Sequence, residues 1–393
     1  MKFKQFLGLQ GVKASIFMGI FYAVAMLVIF LTGYTALPGN MDELKIAIVN
    51  DDAGESGAQI TGQLAESLPF NIDTDLSNKK ALDQLEDNKY ALVIHIPENF
   101  SENAQTGQSA QIDFTVNEAS ATMVSSSMKS VVTEINDQLS ANFSTQVAKG
   151  VLLNMNVPEE QAAAIADQVE NAYVGNYVIM NDVPDGMHNN MLPMFLTMAC
   201  YVGAMIAAMQ LVGAFKQSRG KASKAKLFAY VQGSALLIAV VATIFAVAVA
   251  FLIADLDTDI IFKVAGQQVL LYMAAFNVCA IFTFLIGEAG MILNIPVLLS
   301  QTIANGATMP REMMYDYFNV VSHITPMYYS VQSYYAVMFG STEQSPFLWG
   351  LAAVFVGAML INMMIVAFVH KKVPVTAEET EKNVPINAVP TVK

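Results

Sequence analysis

The side chains best suited to catalysis or metal binding are four histidines and two cysteines, and their placement supports neither chemistry. His95, His188, His323 and His370 are scattered, with no nucleophile or ligand set beside them in the chain. Cys200 and Cys279 both lie inside apolar stretches. They offer no disulfide framework and no metal spacing, and read as small buried hydrophobes. Gly220–Lys221–Ala222–Ser223 has the ending of a phosphate-binding loop, but Phe215 stands where G-x-x-x-x-G-K-[ST] requires its first glycine. ATP hydrolysis on this chain is therefore not expected, nor any cofactor of its own. Asn50–Asp51–Asp52–Ala53–Gly54 places two carboxylates on a turn, fewer oxygen ligands than a calcium loop supplies. It reads as a solvated turn that caps the next helix.

What remains is charge and aromatic surface. One cluster is Lys216, Arg219, Lys221, Lys224 and Lys226, with Glu288 a lone acid farther along. The other is Arg311–Gly340, which carries Tyr328, Tyr329, Tyr334 and Tyr335 among eight aromatic residues. The elements that position them are hydrophobic. Of 393 residues 54% are hydrophobic and 13% charged, and the mean hydropathy is +0.45, where a soluble domain carries roughly 25% charged residues. About 20 apolar residues cross a bilayer core. Six stretches qualify: Ala14–Leu37, Met191–Phe215, Leu227–Ala254, Gly266–Gly287, Ala289–Met309 and Pro346–Val369. Asn294, Pro296, Gln301 and Asn305 interrupt the fifth, which a bundle tolerates when neighbouring helices satisfy the freed groups. Gly203/Ala207 and Ala353/Gly357 have the spacing of close helix packing. The first stretch exceeds a signal-peptide core and is expected to stay as an anchor.

Charge is segregated. Residues 38–190 hold 23 acidic residues against 6 lysines, and the rest of the chain 10 acidic against 14 basic. Lys2, Lys4 and Lys13, the Lys216–Lys226 loop, and Lys371 with Lys372 all fall on one side of six alternating spans. The positive-inside rule makes that side cytoplasmic. The expected domains are an N-terminal interfacial segment with the first span (1–37), an extracellular domain (38–190), a five-helix membrane domain (191–370) containing the outer aromatic segment 311–340, and a cytoplasmic tail (371–393). Both termini are expected on the cytoplasmic side of a plasma membrane.

Within 38–190, Lys45–Asn50, Tyr90–Pro97 and Gln111–Asn117 are β-rich runs bounded by turn residues. Helical patterns over Gly57–Leu68 and Asn78–Asn88 lie between them, which predicts a small α/β layer. From Glu118 to Val174 the pattern becomes long polar helix. Val124, Met128, Val131, Ile135 and Leu139 form one apolar stripe that fits either the layer or a partner chain. Val157–Pro158–Glu159–Glu160 suits the start of a further helix.

The order of parts resembles the phage-infection-protein family, which belongs with the permeases of type-2 ABC exporters. The residues that carry the likeness are Ile46–Gly54 (IAIVNDDAG), Ala91–Ser101 (ALVIHIPENFS), Ala304–Pro310 (ANGATMP) and Ile324–Tyr329 (ITPMYY). The third departs from the family's usual glycine pair, Thr, aromatic and Pro at two places. The resemblance implies a separate ABC ATPase subunit, which uses the ATP, and a homodimer or paired permease. It places Lys216, Arg219, Lys221, Lys224, Lys226 and Glu288 toward that ATPase. It makes Met1–Lys13 an interfacial helix on membrane lipids and the tyrosines of 311–340 a substrate exit.

Three functions stand on these readings. One is the permease half of an exporter for an amphiphilic or lipid-like compound. Another is a surface receptor or scaffold that binds a phage or partner protein through its outer domain. An ion-coupled transporter fits least, because charges inside the spans are nearly absent and no inverted repeat is evident. Nothing points to nucleic acid.

Overall fold

The computed structural model describes residues 29, 40–106, 108–153, 173–184, 187–254 and 256–370. The N-terminal segment, the first expected span except Ile29, the Val157–Glu160 helix start and the tail lie outside these residues.

The first half forms a sheet domain. Its elements are β1 (Lys45–Asn50), α1 (Glu55–Ser67), β2 (Asn71–Asp73), α2 (Asn78–Glu86), β3 (Leu92–Ile96), α3 (Phe100–Thr106), β4 (Ala110–Asn117), α4 (Thr122–Leu153) and β5 (Tyr173–Met180). The strands stand in the order β2-β1-β3-β4-β5, with β3 and β4 antiparallel and the other pairs parallel. Alternation along β1 sends Ile46 and Ile48 to one face and Ala47 and Val49 to the other. Helix α2 covers the second face with Ala81 and Leu85, while α1, α3 and α4 cover the first. Both faces of the central strands are thus buried, as parallel pairing requires.

Three expectations need correction. Tyr173 and Val174 open strand β5 instead of closing a helix, and β2 carries too few residues to announce itself in sequence. Along α4 the stripe Val124, Met128, Ile135 and Leu139 packs on the sheet, but Val132 is the fully buried residue and Val131 is half-buried beside it. The Asn50–Gly54 turn caps helices, and Asp51 and Ala53 are exposed as expected, but Asp52 is not solvated. Asp52 is 8% exposed. It accepts hydrogen bonds from the amides of Gly54 and Gly57 (both 3.2 Å) and from the Ser101 amide (3.0 Å) and hydroxyl (2.5 Å). One carboxylate thereby ties the starts of α1 and α3.

Burial by itself would raise the Asp52 carboxyl, but the bonds from Ser101, Gly57 and Gly54 outweigh it and hold the group below its ordinary 3.8. A depressed folded-state value contributes stability above the unfolded value and loses it as pH falls through the folded one. The melting midpoint should therefore drop on acidification below about pH 4. Asp52→Asn should flatten that part of the profile and cost about 1–3 kcal/mol at pH 7 by leaving buried donors unpaired. Scanning calorimetry against pH reads both, and an unchanged acid limb in the variant contradicts the assignment.

The second half is helical: α5 (Met187–Asn190), α6 (Leu192–Gln217), α7 (Lys224–Ile253), α8 (Ile261–Ile286), α9 (Gly290–Ile303), α10 (Asp316–Ile324), α11 (Pro326–Phe339) and α12 (Gln344–Phe368). Among the described residues, four segments are long and apolar enough to cross a membrane: 192–217, 224–253, 258–303 and 344–368. The third is bent. A turn at Gly287–Ala289, with Gly287 at φ +77°, separates α8 from α9. Helix α9 ends at Ile303, earlier than its apolar pattern suggests. At 14 residues it is about 21 Å long and falls short of a hydrocarbon core of about 30 Å.

Helix α8 is the hub, packed by α6, α7, α9, α11 and α12. Small residues serve the α6–α8 contact: Ala204 and Ala208 of α6 and Ala274 and Ala275 of α8 are buried in one core, and Tyr272 donates to the Gly203 carbonyl (3.3 Å). The Ala353/Gly357 pair makes no such contact, and Leu351 and Ala358 are the buried residues there. Lipid-type surface lies on α7, where Leu237, Phe245 and Leu252 are exposed, and on α12.

Buried amides and hydroxyls tie the helices at two levels. Near the sheet-domain end, Gln267 donates to the Ser330 carbonyl (2.9 Å) and accepts from Ser333 (2.7 Å) and Gln344 (3.1 Å), while Thr197 meets Ser330 (2.8 Å). Deeper in, Asn277 exchanges bonds with Gln232 and accepts from Asn362.

Candidate functional site

The two clusters singled out by sequence lie at opposite ends of the helical domain. At the basic end the six candidates divide into two kinds. Lys216 donates to the Thr283 carbonyl (3.2 Å), at the end of α8. Lys224 donates to the Ala367 carbonyl and to that of His370 (3.3 Å), at the end of α12. These two are half-buried cations on helix C-termini, where unsatisfied carbonyls and the helix dipole favour positive charge. His370 joins them, packed edge-on against Phe215 and Phe284 and donating Nε2–H to the Phe284 carbonyl (3.0 Å). Burial, together with Arg219, Lys216 and Lys224 nearby, holds it below the usual histidine value, so the neutral ring fits this role. Arg219 is half-buried in the turn. Lys221, Lys226 and Glu288 are exposed. Lys226 Nζ lies 5.7 Å from the Tyr230 ring centroid.

At the other end, the sheet domain is fused to the helices instead of hanging from them. The core under β1, β3, β4 and α4 runs on without a break into Ile303, Ala304, Met309, Met313 and Phe318. Ile29, from the expected first span, packs against it as well. The backbone completes the joint. The first amides of α4 are satisfied from the loop after α9, Thr122 N by the Ala307 carbonyl (2.9 Å) and Met123 N by that of Thr308 (3.1 Å). The Thr122 hydroxyl adds a bond to Ala307 (3.1 Å) and one to Asn190 (3.0 Å). Helix α4 needs those acceptors for its orphan amides, so the Ala304–Pro310 motif acts as a helix cap.

The aromatic segment makes the helical side of this joint. Adjacent Tyr328 and Tyr329 meet edge-on, with ring centroids 6.2 Å apart, and reach different neighbours. Tyr328 faces the joint, with the Arg311 guanidinium stacked 3.5 Å from its ring centroid. Arg311 is itself held by Ser322, through Nε to the hydroxyl (2.7 Å) and Nη2 to the carbonyl (2.9 Å). Tyr329 lies under Gly350 of α12 and donates to the His323 carbonyl (2.8 Å). Tyr334 and Tyr335 are fully buried. Tyr334 donates to Gln268, and Tyr335 packs with Phe339. Of the four tyrosines, only Tyr328 lines the cavity at the joint. Sequence reading passed over Arg311, although one of only two arginines in the chain inside an aromatic run was a legible signal for cation–π stacking. It also passed over Asn117, whose side chain ties the α2–β3 turn (Asn88, 2.9 Å) to Ala119 and Asn181.

Comparison with known proteins places this architecture in a transporter class. The family described as ABC-2 family transporter protein matches residues 13–369, and the chain belongs to that family. It is therefore a helical membrane protein of the transport kind. Over 86 residues it is 37% identical to the uncharacterized protein YhgE of Bacillus subtilis (strain 168). That match covers 20% of this chain and 11% of the relative. A domain assigned to an ABC type-2 transporter from Thermotoga maritima MSB8 is 17% identical, with a TM-score of 0.26, over 34% of this chain and 86% of that one.

Proposed function

We propose that this chain is the permease subunit of an ATP-driven exporter of the phage-infection-protein type, working as a dimer with a separate ATPase. Six spans cross the membrane, the first at Ala14–Leu37. The sheet domain and the aromatic segment lie outside, and both termini and the Lys216–Lys226 loop lie inside. The observation that carries the reading is the division between the ends. One end exposes Lys221, Lys226 and Glu288 around capped helix termini. The other joins an acidic domain to a short broken helix and an aromatic floor. A rigid inner face suits ATPase docking, and a joint at α9 can move with the helices. The cargo is an amphiphilic or lipid-like compound, in keeping with an apolar bundle rich in Met and aromatic residues. The continuous core counts against an independent receptor head, since a binding domain alone has no need to share its interior with α9 and α10.

Orientation is tested by cysteine labelling. Cys200 and Cys279 are buried, so background reaction is low. Ser130 on α4 and Ala225 at the start of α7 are exposed. An impermeant maleimide applied to intact cells should label Ser130→Cys and leave Ala225→Cys untouched until the membrane is opened. The reverse pattern would overturn the topology and the reading built on it.

A further inference from the structure

A cavity of about 120 Å³ lies in the joint between the sheet domain and the helices. Its two sides differ in chemistry. Tyr328, Phe347 and Gly306 come from the helical side, while Lys45 and Asn88 come from the sheet domain. The floor is fixed. Arg311 stacks on Tyr328, Gln332 donates to the Gly306 carbonyl (3.4 Å), and Gly306 sits at φ +79° with no room for a side chain. Phe347 opens α12, so the apolar side of the cavity begins where a lipid-type helix begins. Four charged residues line it. Lys89 and Asp87 pair with each other at 2.8 Å. That leaves Lys45 and Glu312, both exposed, one positive from the sheet domain and one negative from the helical side. A purely anionic head would meet Glu312 and a purely cationic one Lys45. A head carrying both charges is matched by the pair. Phe347 is the α12 residue at its apolar side.

We propose that this cavity binds the head of a zwitterionic amphiphile, its phosphate toward Lys45 and its ammonium toward Glu312. The binding stands on the cavity alone, and only the statement that the occupant is cargo rests on the exporter reading. The test uses the full-length protein purified in a neutral maltoside detergent. It is incubated with phosphatidylethanolamine or phosphatidylglycerol, and bound lipid is counted by native mass spectrometry. Wild type should retain one phosphatidylethanolamine per protomer in preference to phosphatidylglycerol. Lys45→Glu and Glu312→Lys should each lower that retention by about fivefold or more, and the double exchange Lys45→Glu/Glu312→Lys should restore it. Both positions are exposed, and the double exchange controls for folding. Equal retention of the two lipids, or retention indifferent to all three variants, would overturn the site. Adding the ATPase and ATP separates the sources of the same head chemistry: cargo leaves on turnover and a bilayer lipid stays. Loss of the site with ATPase coupling intact would leave the exporter reading standing.

Discussion

Gly306→Val is expected to unfold the joint and carry much of the protein with it. Gly306 holds φ +79°, where a β-branched residue is strained, and that conformation alone costs about 1–3 kcal/mol. A Cβ there would also stand 2.6 Å from Gln332 Nε2 and 2.8 Å from the Tyr328 ring. Tyr328 cannot yield freely, because Arg311 is stacked on it and anchored to Ser322. The next residues in the loop supply the carbonyls that cap α4, so a shift here uncaps a helix of 32 residues. Gly62 provides the contrast, since it lies inside α1 with nothing within 4 Å of a Cβ. Gly62→Ala should leave stability equal or raise it by up to about 1 kcal/mol. Thermal unfolding of the two variants in one detergent should separate them widely, and similar midpoints would contradict the account of the joint.

That joint also marks how far sequence reaches. Runs with one strong period were readable. β1 was read at its full extent, and α6, α7 and α12 were placed to within a few residues, because an apolar helix of that length or an alternating strand has few alternatives. The positions that failed are those decided by tertiary contact. Tyr173 and Val174 were read as the end of a helix but open a strand that pairs along β4. Helix α9 stops at Ile303 although the apolar composition runs to Met309, because the following carbonyls are taken by α4. At the basic end the charges were visible but not their roles. Only coordinates separate Lys224, which caps α12, from the exposed Lys221. The tyrosines divide in the same way. The resemblance grouped them as one substrate exit, and the structure puts Tyr328 at a cavity and Tyr334 and Tyr335 in the core.

The second large effect is expected at Gln267, which is 2% exposed and whose side chain makes three bonds. Buried interhelical hydrogen bonds in membranes average about 0.6 kcal/mol each. Gln267→Leu should therefore cost about 2 kcal/mol, through losing the ties from α8 to both α11 and α12. The loss stays moderate because Gln344 is half-buried and can reach other partners. Gln344→Leu removes a single bond and should cost about 0.6 kcal/mol. If both substitutions shift detergent unfolding equally, the Gln267 network does not hold α11 in place.

The central claim is that an ABC ATPase docks on the exposed cations of the basic end. The direct measurement is ATP hydrolysis by an ABC ATPase recovered with this chain from its own cells, assayed with and without the chain in liposomes. Lys221→Glu/Lys226→Glu is the informative variant, because neither side chain caps a helix as Lys216 and Lys224 do. Its membrane insertion is checked first, since loop lysines also set topology. Wild type should stimulate hydrolysis, and the variant, equally folded and inserted, should lose about tenfold of that coupling, the equivalent of about 1.4 kcal/mol of docking energy. Hydrolysis that is the same with wild type, with the variant and with no permease at all would contradict the account.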